Sequence, residues 1–170
     1  MRPLPGAWIQ PHPTEGCDER AWRLRGEAGR EELVQTRQRF GEWKNLCRWI
    51  RANTPKEAKF ITPRNQQTFK WYAERAEVVT WKDIPQDAAG LVEWRKVLSE
   101  IFPPEGFGSD VAENTDAELL AIAKEHGASY VVIDRTRSTR LIGLPRLHPD
   151  DEPLNPTYAL YLISPPPAKP

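Results

Sequence analysis

Three short polar clusters, each following an apolar stretch, hold the residues of this chain best suited to ligand chemistry. They are Arg64, Asn65 and Gln67; Trp81, Lys82 and Asp83; and Asp134 and Arg135, with Arg137 close behind. Guanidinium and ammonium groups next to the free amides of a helix start suit an anion, because both offer positive N–H donors. A phosphate or an acidic sugar is the ligand such a set would take, with Trp81 as a ring for stacking. A plainer assignment competes with this one. Asn65 and Asp83 then cap helices, Asp134 pairs with Arg135 or Lys82, and the others are solvated. Trp43, Trp49, Trp71 and Trp94 read as core, since aromatic rings at helical spacing bury large apolar areas.

Other chemistries have no support. Glu105-Gly106-Phe107-Gly108-Ser109 lacks the Gly-Lys-Ser/Thr ending of a phosphate loop. There is no G-x-S-x-G elbow. His12, His126 and His148 are far apart, and Cys17 and Cys47 stand alone, so neither a metal site nor a disulfide scaffold is expected. Cys47, on an apolar helix face, reads as a small hydrophobe. No nucleophile–base–orienter set can be assembled. The expectation is no catalytic residue, no metal and no cofactor.

The three clusters need a frame to bring them together. Leu33, Val34, Arg37, Phe40, Trp43, Cys47 and Ile50 recur at steps of three and four, which predicts a helix that Asn53-Thr54-Pro55 ends. A short strand at 58–62 stops at Pro63. A helix over 65–73, a strand at 76–81 and a helix from Pro85 to Ile101 follow. Residues 105–111 read as a loop. Thr115 and Glu118 form a capping box for a helix that His126-Gly127 closes. The run Ser129–Asp134 is continuously apolar up to its last residue, as a strand covered on both faces requires. Weaker strands are expected at 139–144 and 157–163. Strand–helix–strand alternation implies right-handed crossovers. The predicted fold is therefore α/β: a small open sheet with three parallel strands (58–62, 76–81, 129–134), an antiparallel C-terminal extension, and helices on the faces. In open α/β sheets ligands gather beyond the carboxyl ends of parallel strands, which is where all three clusters fall.

Composition sets the outer bounds. The chain has 170 residues with 24 basic and 24 acidic side chains, enough for one domain and without the basic excess of a nucleic-acid binder. Four of the 17 prolines lie in the first 13 residues and four in the last six. This predicts a flexible N-terminal tail over 1–29, a single domain over 30–164, and a disordered Pro-rich tail over 165–170. Trp22 is either loose within that first tail or a single anchor. No apolar run approaches the roughly 18–20 residues that span a bilayer. No signal-peptide segment opens the sequence, so a soluble, cytoplasmic protein is the default expectation.

Trp49-Ile50-Arg51-Ala52-Asn53-Thr54-Pro55, the strand ending Thr62-Pro63, Phe69–Tyr72, Arg75, Val78-Val79, Trp81-Lys82, Tyr130–Asp134 and Asn155–Tyr161 form a further pattern. It resembles the soluble C-terminal domain that follows the membrane helices in uncharacterised bacterial polytopic proteins of glycosyltransferase-C type. The multi-span region and the acidic membrane-proximal loops of those proteins are not in this sequence. The resemblance therefore implies a fold, an accessory role outside the cytoplasm, and a membrane protein or carbohydrate-like ligand as partner, but no catalytic residue. The leading expectation is a non-catalytic binding module. The alternative is a small enzyme with Asp134 as general base and Lys82 or Arg64 holding an anionic substrate. A third reading has the arginines of the first helix (Arg37, Arg39, Arg48, Arg51) dock on another protein.

Overall fold

The computed structural model describes residues 19–102, 110–149 and 155–164, with side chains from Gly29 onward. Residues 1–18 of the tail read at 1–29, the tail read at 165–170, most of the loop at 105–111 and the side chain of Trp22 lie outside those residues. Helix α1 runs from Glu19 to Asn53, so it begins inside the segment expected to be a tail. The chain divides into two compact units, one ending at Gln38 and one running from Arg39 onward. In the first, Leu33 and Val34, placed by their spacing on an apolar face, are exposed.

Among the described residues of the second unit the sheet has five strands: β1 (Lys59–Ile61), β2 (Ala76–Glu77), β3 (Tyr130–Asp134), β4 (Arg146–His148) and β5 (Tyr158–Leu162). Their spatial order is β2-β1-β3-β5-β4. The pairs β1·β2 and β1·β3 are parallel, whereas β3·β5 and β4·β5 are antiparallel. Alternation along the strands separates two cores, because successive side chains point to opposite faces. Phe60, Tyr130, Val132, Tyr158 and Leu160 face α1 through Trp43, Leu46, Cys47 and Ile50, and face α2 (Phe69–Ala73) through Phe69 and Ala73. Ile61, Val131, Ile133, Ala159 and Tyr161 face α3 (Ala88–Ile101) and α4 (Asp116–His126). Every residue of β3 is buried, in keeping with its unbroken apolar run.

Several boundaries differ from the sequence reading, each for a physical reason. The strand expected over 76–81 pairs only at Ala76 and Glu77. Val78, Val79 and Trp81 all pack against the α3/α4 core, and a pleated strand cannot place consecutive residues on one face. The helix expected from residue 65 starts at Phe69. The helix expected from Pro85 starts at Ala88, because Asp87 caps it by accepting the Gly90 N–H at 2.7 Å. No strand forms over 139–144. There the N–H of Gly143 goes to Asp116 and that of Arg140 to Ser138, which leaves these amides unavailable to a ladder. The strand lies instead at 146–148. The Thr115–Glu118 capping box and the left-handed Gly127 cap are both present around α4.

Arg75 joins α1 to the sheet. It is 8% exposed, and its guanidinium donates to the carbonyls of Arg51 and Thr54, both at 2.7 Å, and of Glu74 at 3.0 Å. Two of these belong to the C-terminal end of α1, where carbonyls lack helical partners. Replacing Arg75 with Ala strands them in a buried site and should cost about 2–4 kcal/mol in urea unfolding. Arg75→Lys, which lacks the fork, should recover only part of that. A loss below about 1 kcal/mol for Arg75→Ala would show that water replaces the side chain.

Candidate functional site

The carboxyl ends of β1 and β3 lie side by side, and the residues beyond them are largely bonded to one another. Asp134, 8% exposed, accepts from the Thr136 N–H at 2.9 Å and the Thr136 hydroxyl at 2.6 Å through the same oxygen, closing its own turn. Arg135 donates to the Asn155 carbonyl at 2.8 Å. Buried Asn155 in turn donates to the Glu42 carbonyl at 2.9 Å and accepts the Tyr158 N–H at 2.8 Å, tying the start of β5 to α1. The Tyr158 phenol accepts from the Gln66 amide. Burial, and then the nearby Asp134 carboxylate, push that phenol above its ordinary range. Asp110 is 2% exposed; burial raises its carboxyl, Asp134 raises it further, and the N–H groups of Ala112 and Arg64 oppose the shift.

Arg64 and Trp81, drawn from two different loops, meet in a cation–π contact. The guanidinium lies 4.7 Å over the Trp81 ring and 5.9 Å from that of Phe102. Trp81 is half-buried, edge-on to Trp94 at 5.4 Å, while Trp94 donates to the Thr80 carbonyl. Among the described residues the strongly exposed indole is that of Trp71 on α2, at 72%, whereas helical spacing places it in the core. Lys82 sits 4.6 Å over this ring, and beside it Lys70 pairs with Asp83. Asn65 and Gln67 are exposed. Five of the sequence-predicted residues thus fall into two groups. Asp134, Arg135 and, through its N–H to Asp110, Arg64 belong to the edge network. Lys82 and Asp83 border the Trp71 patch.

A cleft of about 350 Å³ opens beside this patch, lined by Lys70, Glu77, Asp83, Glu93 and Trp94 over apolar walls. Glu77 is half-buried there and accepts from the Thr62 hydroxyl at 2.6 Å. Desolvation raises its carboxyl to about 7 against the opposing pull of Thr62 and Lys70. Among the described residues, Glu100, Glu125 and His126 bring three ligating atoms within 4.8 Å. Lys96 lies 3.7 and 3.8 Å from the two carboxylates, and His126 Nε2 is within hydrogen-bond distance of Glu100 at 2.9 Å, so the Lys96 pairs and this contact account for the grouping.

Sequence reasoning missed Asp110, Gln66 and Tyr158 at the edge, and Glu77 in the cleft. Asp110 offered only the weak signal of an acidic residue ahead of a short turn (Val111–Glu113). Glu77 offered none, since alternation does not show which edge residue lacks water.

Residues 41–101, well under half of the chain, match a family described as a domain of unknown function (DUF6798). No curated protein matches the chain, and no solved structure does. The matched stretch holds the last third of α1, Arg75, Trp71, Lys82 and Glu77.

Because Asp134 closes a turn, Asp134→Ala should lower unfolding free energy by about 1–2 kcal/mol. Asp134→Asn, which keeps an acceptor oxygen, should lose less than half as much in the same denaturation experiment.

Proposed function

We propose that this chain is a non-catalytic α/β module that binds a carbohydrate-like ligand or a partner through the face carrying Trp71 and Lys82. The exposed Trp71 indole carries this reading. A ring of that size left in water forgoes a large burial energy, and tryptophan is enriched where proteins anchor what they bind. Its π face suits the C–H face of a sugar ring or an apolar anchor, and Lys82 adds a donor for hydroxyl or acidic groups. The sequence resemblance to the soluble tail domain of membrane glycosyltransferase-like proteins points the same way, toward an accessory role. No helix among the described residues is long and apolar enough to cross a membrane.

The enzyme alternative gains less from the geometry. Asp134 is engaged by Thr136, and each of the cations that could hold an anionic substrate, Arg64 or Lys82, lies over a tryptophan ring, Arg64 on Trp81 and Lys82 on Trp71. A general base needs a reachable proton and a held substrate at one point.

A panel of neutral and acidic oligosaccharides, titrated against the protein by isothermal calorimetry, tests the proposal. Trp71→Ala should weaken binding at least tenfold, while unfolding free energy changes by less than about 1 kcal/mol because the ring is exposed. Lys82→Gln should weaken acidic ligands more than neutral ones. Unchanged affinity in Trp71→Ala would refute the platform.

A further inference from the structure

We infer that a cavity at the β4 margin of the sheet binds a small organic oxyanion, a phosphate ester or a carboxylate on an apolar body, through Arg135, Arg140 and Arg146. The site stands apart from the Trp71 reading, because β2 and β4 are opposite margins of the sheet and α2, which carries Trp71, packs toward β2.

Strand register builds one wall. Tyr161 of β5 lies opposite Val131 of β3 and opposite Arg146 of β4, and directly opposed residues point to the same face. That face belongs to the α3/α4 core, which includes Val131, Ile133 and Tyr161. The loop over 138–144 packs on the same core through Ile142 and Leu144. Loop and sheet together line a cavity of about 300 Å³. Ile133, Ile142 and Leu144 give it an apolar wall, and the three arginines with Ser138 and Thr139 give it a polar one. Among the described residues no carboxylate lines it.

The arginine-bearing loop is clamped in place. Asp116, at the start of α4, accepts from Arg140 Nη1 and from the Gly143 N–H, both at 2.7 Å and one on each carboxylate oxygen. Arg140 Nη2 donates to the carbonyl of buried Asn114, and the Arg140 backbone N–H donates to the Ser138 hydroxyl at 3.1 Å. Arg135 is held by the Asn155 carbonyl. Two guanidinium groups are thus positioned by the fold itself, so a ligand has little left to order. Arg140 Nε is buried and has no acceptor among the described residues. A buried N–H is rarely left unmet, and an oxyanion beside it supplies the acceptor. Guanidinium groups sharing so small a space also repel one another, and negative charge among them relieves this. Their planar forks match the paired oxygens of a phosphate or carboxylate. Leu141 lines the same cavity yet is almost wholly exposed, so a hydrocarbon body on the anion would cover it. Ligand pockets run from about 300 to 1,000 Å³, so this one suits a single ring and its anionic group.

Phenyl phosphate and benzoate, titrated into the full chain by calorimetry and followed by amide NMR shifts, give the test. At least one should bind and shift the amides of residues 138–144, and the tighter of the two identifies the anion. Inorganic phosphate and acetate, which lack the ring, should bind about tenfold more weakly than their aromatic counterparts. Arg146→Gln should weaken the tighter ligand about tenfold or more, since it removes a charged donor. Trp71→Ala should leave that affinity unchanged. Neither heat nor shifts with either aromatic anion would overturn the site, as would equal affinity for the bare anions or an unchanged affinity in Arg146→Gln. Loss of binding in Trp71→Ala would move the ligand to the other margin and overturn it too. Should Arg146→Gln fail to fold, the shifts in the native chain decide. Their confinement to residues outside 138–144 overturns the site, and their concentration there supports it.

Discussion

Strand β3 is the constraint on which the second unit depends. Its five residues are all buried, and its two faces belong to two separate cores. A strand in that position needs helices above and below, parallel or antiparallel neighbours on both sides, and polar groups only at its ends. The rest of the unit meets those demands. Helices α1 and α2 close one face and α3 and α4 the other. Strand β1 arrives by a crossover on one side, and β5 returns antiparallel on the other. Phe60 stacks on Tyr130 at 4.8 Å within one core, so even the pairing of β1 with β3 is reinforced by side chains.

Once the centre is sealed, the polar groups at the strand ends have to find partners near at hand. Glu42, Asn155, Thr157 and Tyr158 achieve this by linking α1 to the start of β5 across more than a hundred residues of sequence. Arg75 does the same for the end of α1. Buried polar groups that pair with one another specify an arrangement as well as stabilise it. This accounts for the candidate edge being largely committed to the fold, while the exposed aromatic and the unusual carboxyl both lie toward β2, the less constrained margin of the sheet.

What the sequence showed and what it concealed divide along the same line. The β3 run, the α4 caps at Thr115, Glu118 and Gly127, and the apolar face from Trp43 to Ile50 were all legible because each rests on neighbours a few residues away. The mixed α/β sheet with helices could be read from their order. The buried polar network could not, since Asn155 and Glu42 look like ordinary surface residues until the fold brings them together. Trp71 misled for a related reason. In a helix of five residues the apolar face is set by Phe69 and Ala73 alone, and spacing does not say that a third aromatic points to water. Val78-Val79 looked like strand because both are β-branched, yet tertiary packing on α3 overrode that preference.

The order β2-β1-β3-β5-β4 also places β2, of two residues, and β4, of three, at the outer margins of the sheet. A margin that short exposes only a few unpaired amides and carbonyls, too few to template a second chain laid alongside. Long apolar strands such as β3 and β5 are the segments most prone to add to one another in open-ended stacks. Here they sit inside, flanked by brief ones, so the same layout that builds the core protects the molecule from fibrillar growth.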